Sequence, residues 1–175
     1  MSKREIAQLG NEALRQTAKL VDDLDSSEIQ QVITDLLCTL QGTSGVGIAA
    51  PQISESWQIM VLASKPTTRY PDAPDMAETV MINPSFSILS DEIEKDWEGC
   101  LSIPSIRAKV PRYKQIKISY TNLQGGRKRT ELNGFVARVF QHEYDHLQGL
   151  VYLDRVESNR DIFSEAEYLQ QIQVS

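Results

Sequence analysis

The chain has 175 residues, 41% of them hydrophobic and 24% charged, and a net charge of −6. These values suit one globular domain, residues 1–175, and exclude a disordered chain, a disulfide scaffold and a general nucleic-acid binder, which needs clustered Lys and Arg. No apolar run reaches the ~20 residues needed to cross a bilayer, and the opening MSKREIAQLG lacks the apolar core of a secretory signal. A cytoplasmic location with reduced thiols is therefore expected.

The first element is a predicted helix over 25–41. Asp25 is the expected cap and Glu28 its answering residue, and Ile29, Val32, Ile33, Leu36, Leu37 and Leu40 recur at helical spacing up to Gly42. Cys38 falls on the opposite side of that stripe and reads as an incidental thiol. Next comes GVGIAAPQ, residues 45–52. Its small residues let a backbone approach a ligand closely, and Gln52 brings an amide that can donate to developing negative charge. It lacks the lysine and the spacing of a phosphate loop.

Strand-like runs follow at 57–63, 79–82, 116–122 and 128–132. The proline-rich stretch KPTTRYPDAPD between the first two reads as a loop, and LQGG joins the last two in a hairpin. Arg127, Lys128 and Arg129 form the one basic cluster, read as a solvated hairpin flank. From Gly134 the pattern becomes helical again in GFVARVFQHEYDHLQG, with Gly149 placed to end the helix.

Two stretches carry chemistry. The apolar helix contains the only two histidines, His142 and His146, four residues apart with Glu143 after the first. Chance placement gives this pattern about once in a thousand sequences of such composition. Four residues on a helix rotate by about 40°, so both imidazoles can reach one metal ion, while Glu143, turned by about 100°, is left to act on water. A catalytic site of this kind needs a third protein ligand. Spacing leaves two sources open: a downstream acid, Glu165 or Glu167, or the upstream Cys100 in DWEGCLS.

In the order GVGIAAPQ, EGCLS, QHEYDH, the sequence resembles the peptide deformylases, and IAQLGNEALRQTAKLV, MINP and IPSIRAKVPR extend the resemblance from about Ile6 to Asp154. The resemblance implies an α+β fold, with antiparallel sheets packed around a central C-terminal helix carrying the HExxH motif. It implies Cys100, His142 and His146 as ligands of one divalent metal ion, Fe2+ by family habit, with Zn2+, Ni2+ or Co2+ as substitutes. Glu143 would be the catalytic carboxylate, with Gln52 and the Leu101 amide at the oxyanion. Glu98 and Arg107 would support the site. Gly45, Val46, Gly47, Glu98 and Gly99 would line the substrate niche, and Phe135 and Val139 the methionine pocket. The implied reaction is hydrolysis of the formyl group from the N-terminal formyl-methionine of new polypeptides in a bacterial cytoplasm, by a monomer. Ribosome association belongs to the family, but docking through the acidic-to-neutral ending DIFSEAEYLQQIQVS is not expected. Two other readings remain: Cys100 as a nucleophile paired with a histidine, and a metal-bound interaction module without turnover.

Overall fold

The computed structural model describes residues 3–66 and 73–173. Among the described residues there are three α-helices and eight strands, the strands forming two antiparallel sheets: β1 (Gly47–Ala49), β2 (Ile59–Ser64), β3 (Met76–Ile88), β6 (Gln115–Thr121) and β7 (Arg127–Asn133) form one, in the order β1-β2-β3-β6-β7. The other runs β4 (Ile93–Cys100), β5 (Ile103–Tyr113), β8 (Ile162–Ser164). The helices are α1 (Ser27–Gln41), α2 (Gly134–Leu147) and α3 (Glu165–Gln173). This is the expected α+β architecture.

The run IMVL in β2 is continuously apolar because both of its faces are covered. Ile59 and Val61 point into a core with Ile29, Val32, Ile33, Leu36 and Leu40 of α1, whereas Met60 and Leu62 enter a second core with Ala137, Val139, Phe140 and Leu147 of α2. A third core gathers Cys100, Ile103, Ala108, Val110, Val151 and Tyr152 beneath the smaller sheet. Helix α2 thus runs between the two sheets, and eleven of its fourteen residues are buried, including both histidines and Glu143.

Several sequence expectations are adjusted. Ser26, not Asp25, caps α1, its hydroxyl accepting from the Ile29 amide. Strand β3 is much longer than TVMI, and its pairing shifts register after Ile82, where Asn83 takes φ +49° and exchanges two 2.9 Å side-chain bonds with the Val21 backbone. The hairpin β6–β7 pairs as expected, with its basic cluster exposed. Of the proline-rich loop, residues 67–72 lie outside the described residues. Helix α2 ends as foreseen, with Gly149 at φ +73°.

Candidate metal centre and catalytic cleft

Cys100 is the last residue of β4, paired with Ile103 across a two-residue turn made by Leu101 and Ser102. The ladder slips register between Glu98 and Cys100, which aims the thiol at α2. His142 and His146 occupy successive turns of that helix, as the spacing requires. Ligand atoms of Cys100, His142 and His146 lie within 4.8 Å of one another, all buried, and Cys100 Sγ stands 3.2 Å from His146 Nε2. The downstream acids do not join this cluster. Glu165 pairs instead with Arg107, so the group gathered with the two imidazoles is the Cys100 sulfur rather than a carboxylate.

The donors are prepared for a cation. His142 Nδ1–H donates to Glu98 Oε2 at 2.8 Å, which fixes the tautomer and leaves Nε2 as the free lone pair. Burial pushes the Cys100 thiol up, but the adjacent His146 and His142 more than reverse this and draw it well below the ordinary thiol range. The sulfur also accepts from Gln52 Nε2 at 3.5 Å and from the Ser102 amide at 3.4 Å. One thiolate and two imidazoles, closed in on one side, fit a late divalent transition metal.

Glu143 shares the helix but not the cluster. Its Oε2 is buried and has no hydrogen-bond partner among the described residues, and burial pushes its carboxyl up to about 7 against the pull of His142 and His146. A Cβ added at Gly47 would lie 2.5 Å from Oε1 of Glu143, so any larger residue here would displace that carboxylate. Gln52 sits in the 3₁₀ turn Ala50–Ile53, held by its Oε1 accepting from the Ala49 amide at 2.8 Å, so its Nε2 faces Cys100 and Ser102.

A cavity of about 350 Å³ opens over these groups, lined by Gly45, Val46, Gly47, Gln52, Glu98, Gly99, Cys100, Leu101, Phe135, Val139, His142 and Glu143. Of the residues expected at the site, only His146 is absent from this lining, being fully buried behind it.

Glu98 orients His142 and is itself held by two arginines that the sequence reading did not single out, Arg112 and Arg138, while Arg107 lies in the cavity lining against Gly99. Arg112 grips Glu98 through Nε and Nη2, at 2.9 and 3.0 Å, and reaches Asp145 Oδ2 at 2.6 Å. Arg138 donates to Glu98 Oε1 at 3.1 Å and to the Val110 and Glu94 carbonyls, tying α2 to both long strands of the smaller sheet. Both guanidiniums are nearly inaccessible. The signal was present in the sequence: Arg138 stands in the apolar run FVARVF, and Arg112 continues the inward parity of Ala108 and Val110.

The family model for polypeptide deformylase matches residues 3–161. A peptide deformylase 2 from Nostoc sp. is 49% identical over 163 residues, covering 93% of this chain and 91% of that protein. A class I type b peptide deformylase from Acinetobacter baumannii, crystallised with Met-Ala-Ser bound, superposes with a TM-score of 0.85 at 39% identity, over 89% of this chain and 99% of that one. The peptide deformylase of Thermotoga maritima gives 0.79 at 34% identity, over 90% and 100%.

Proposed function

We propose a working site for a chain that belongs to the peptide deformylase family: Cys100, His142 and His146 hold one divalent metal ion, Glu143 moves the proton, and Gln52 with the Leu101 amide meets the oxyanion. The protein is a metal-dependent hydrolase that removes the N-formyl group from the formyl-methionine of newly made polypeptides. The observation that carries the site is the buried triad with an unpartnered Glu143 oxygen beside it.

When bound, a divalent ion supplies Lewis acidity and brings the pKa of water down toward 7. The Glu143 carboxylate accepts a proton from the water that attacks the formyl carbon. Negative charge grows on the formyl oxygen, where Gln52 Nε2 and the Leu101 N–H donate, each contributing about 3 to 4 kcal/mol in comparable sites. The carbon–nitrogen bond then breaks, and Glu143 returns the proton to the amine nitrogen. Formate and a free N-terminus leave.

Gly45, Val46 and Gly47 offer a narrow niche suited to a formyl hydrogen, and Phe135 and Val139 supply apolar walls for the methionine side chain. Glu98 orients His142, and Gly99 leaves room for peptide backbone. Fe2+ is the proposed resident ion, and Zn2+, Ni2+ or Co2+ can replace it at a site of these donors. The proposal extends to a monomer acting through this catalytic domain on nascent chains in the bacterial cytoplasm. No described helix is long and apolar enough to cross a membrane. The test is release of formate, with a matching free amine, from a formyl-methionyl peptide by ferrous protein prepared without oxygen. Equimolar products support the reading, and no release from fully loaded, folded protein overturns it.

A further inference from the structure

The side-chain amide of Gln52 carries two N–H groups on Nε2, and the structure gives each an acceptor. One reaches Ser102 Oγ at 3.3 Å and the other Cys100 Sγ at 3.5 Å. Gln52 and Cys100 line the catalytic cavity, whereas Ser102 does not and is fully buried. The N–H bound to Ser102 is therefore turned into the protein, and the one over the sulfur borders the cavity.

A glutamine amide turns easily about its last torsion, which has a broad, roughly two-fold preference. Here two bonds hold its plane: Oε1 accepts from the Ala49 amide at 2.8 Å, and Nε2 donates to Ser102 Oγ. The serine that receives the second bond is itself fixed. Its carbonyl accepts from the Leu9 amide at 2.9 Å, and its own amide donates to Cys100 Sγ at 3.4 Å. Ser102 also follows Leu101 in the turn between β4 and β5. The turn that presents the Leu101 N–H thus carries the acceptor that orients Gln52, and one rigid piece sets both donors.

Resting on the deformylase reading above, we propose that Ser102 is a positioning residue for the oxyanion: its hydroxyl occupies one Gln52 N–H and leaves the other aimed at the formyl oxygen, in step with the Leu101 amide. Without that acceptor the Gln52 amide keeps one anchor, Ala49, and is free to turn its remaining N–H off the line of the formyl oxygen. Donors stabilise an oxyanion in proportion to how well they are held before the charge forms. The loss therefore falls on kcat rather than on KM. A net hydrogen-bond contribution of ordinary size corresponds to about a 3- to 10-fold change. Ser102 does not border the cavity and acts only through Gln52.

The experiment is a double-mutant cycle: kcat, KM and metal per chain for wild type, Ser102→Ala, Gln52→Leu and the double variant, with one formyl-Met peptide. Ser102→Ala should lower kcat about 3- to 10-fold, with KM unchanged and one metal ion retained per chain. In the Gln52→Leu background the same substitution should change kcat by less than about twofold, because the bond it removes is already gone. Equal losses in the two backgrounds, or an unchanged kcat in Ser102→Ala, overturn the proposal while leaving formyl hydrolysis standing. Absence of turnover by loaded wild type overturns the deformylase reading and this proposal with it. A second readout needs no turnover: proton–nitrogen NMR of the metal-free protein, with the Gln52 side-chain pair identified by its loss in Gln52→Leu. One of its two proton resonances should move upfield in Ser102→Ala, and an unmoved pair overturns the proposal. Should Ser102→Ala not fold, the wild-type spectrum decides: one proton displaced downfield supports the bond to Ser102, and a pair at the positions of a free glutamine side chain rejects it.

Discussion

At the scale of residues, two side chains give sharp expectations. Gln52 has its carbonyl oxygen engaged by Ala49 and its amino group aimed at Cys100, so Gln52→Leu removes a donor of similar size. We expect kcat for formyl-peptide hydrolysis to fall about 10²- to 10³-fold, with little change in KM and one metal ion retained per chain. Glu98 is buried between Arg112, Arg138 and His142. Burial pushes its carboxyl up, but Arg112 and the His142 N–H overcome this and hold it well below its ordinary 4.5. A folded-state pKa below the unfolded one means that the ionised form stabilises the fold above 4.5, and this stability drains away as pH falls from there. Glu98→Gln leaves buried guanidinium charge uncompensated and should cost about 3 to 5 kcal/mol at neutral pH. Its deficit against wild type in denaturant titrations should shrink as the pH drops below the ordinary carboxylate range; a constant deficit contradicts the shift. At this scale the histidine pair was readable because a helix must space two residues of one cluster four apart, whereas Cys100, which the structure brings to them, was singled out only through the family resemblance. Arg112 and Arg138 were missed because a buried arginine shows in sequence only as a break in an apolar pattern.

Among the elements, α2 depends on how it ends. Gly149 has φ +73°, and an added Cβ would lie 2.8 Å from the Arg15 carbonyl group. Gly149→Ala should therefore destabilise by about 1 to 3 kcal/mol, combining left-handed backbone strain with a clash that neither backbone can relieve cheaply. A shift of the urea midpoint at unchanged slope checks this. Helices α1 and α2 and the central strands were legible because their apolar periodicity is strong, whereas α3 was not read from the sequence. Strands β4 and β5 were not: IEKDWEGC is mostly exposed at its start, and its inward Glu98 is polar, so no alternation announces it. Yet this hairpin carries the cysteine. Its stability comes from Arg138, which binds carbonyls in both strands, and from Trp97 against Phe163 and Tyr168, contacts made by residues far along the chain.

The whole molecule has to bring together three segments that the sequence keeps apart. The Ala7 amide donates to the Gln52 carbonyl at 2.8 Å, Leu9 to Ser102 at 2.9 Å, and Ala18 to Leu147 at 2.9 Å, so the N-terminal stretch fastens the Gln52 turn, the Cys100 hairpin and the end of α2 in sequence. The claim on which the account rests is that those segments meet around one ion held by Cys100, with Glu143 working beside it and not binding it. Metal content per chain, measured together with formate release on anaerobically loaded Cys100→Ala and Glu143→Ala, tests this most directly. Folded Cys100→Ala should lose the metal, whereas Glu143→Ala should keep one ion per chain and lose turnover by at least about 10²-fold. Full metal stoichiometry in Cys100→Ala, or loss of the metal in Glu143→Ala, would contradict it.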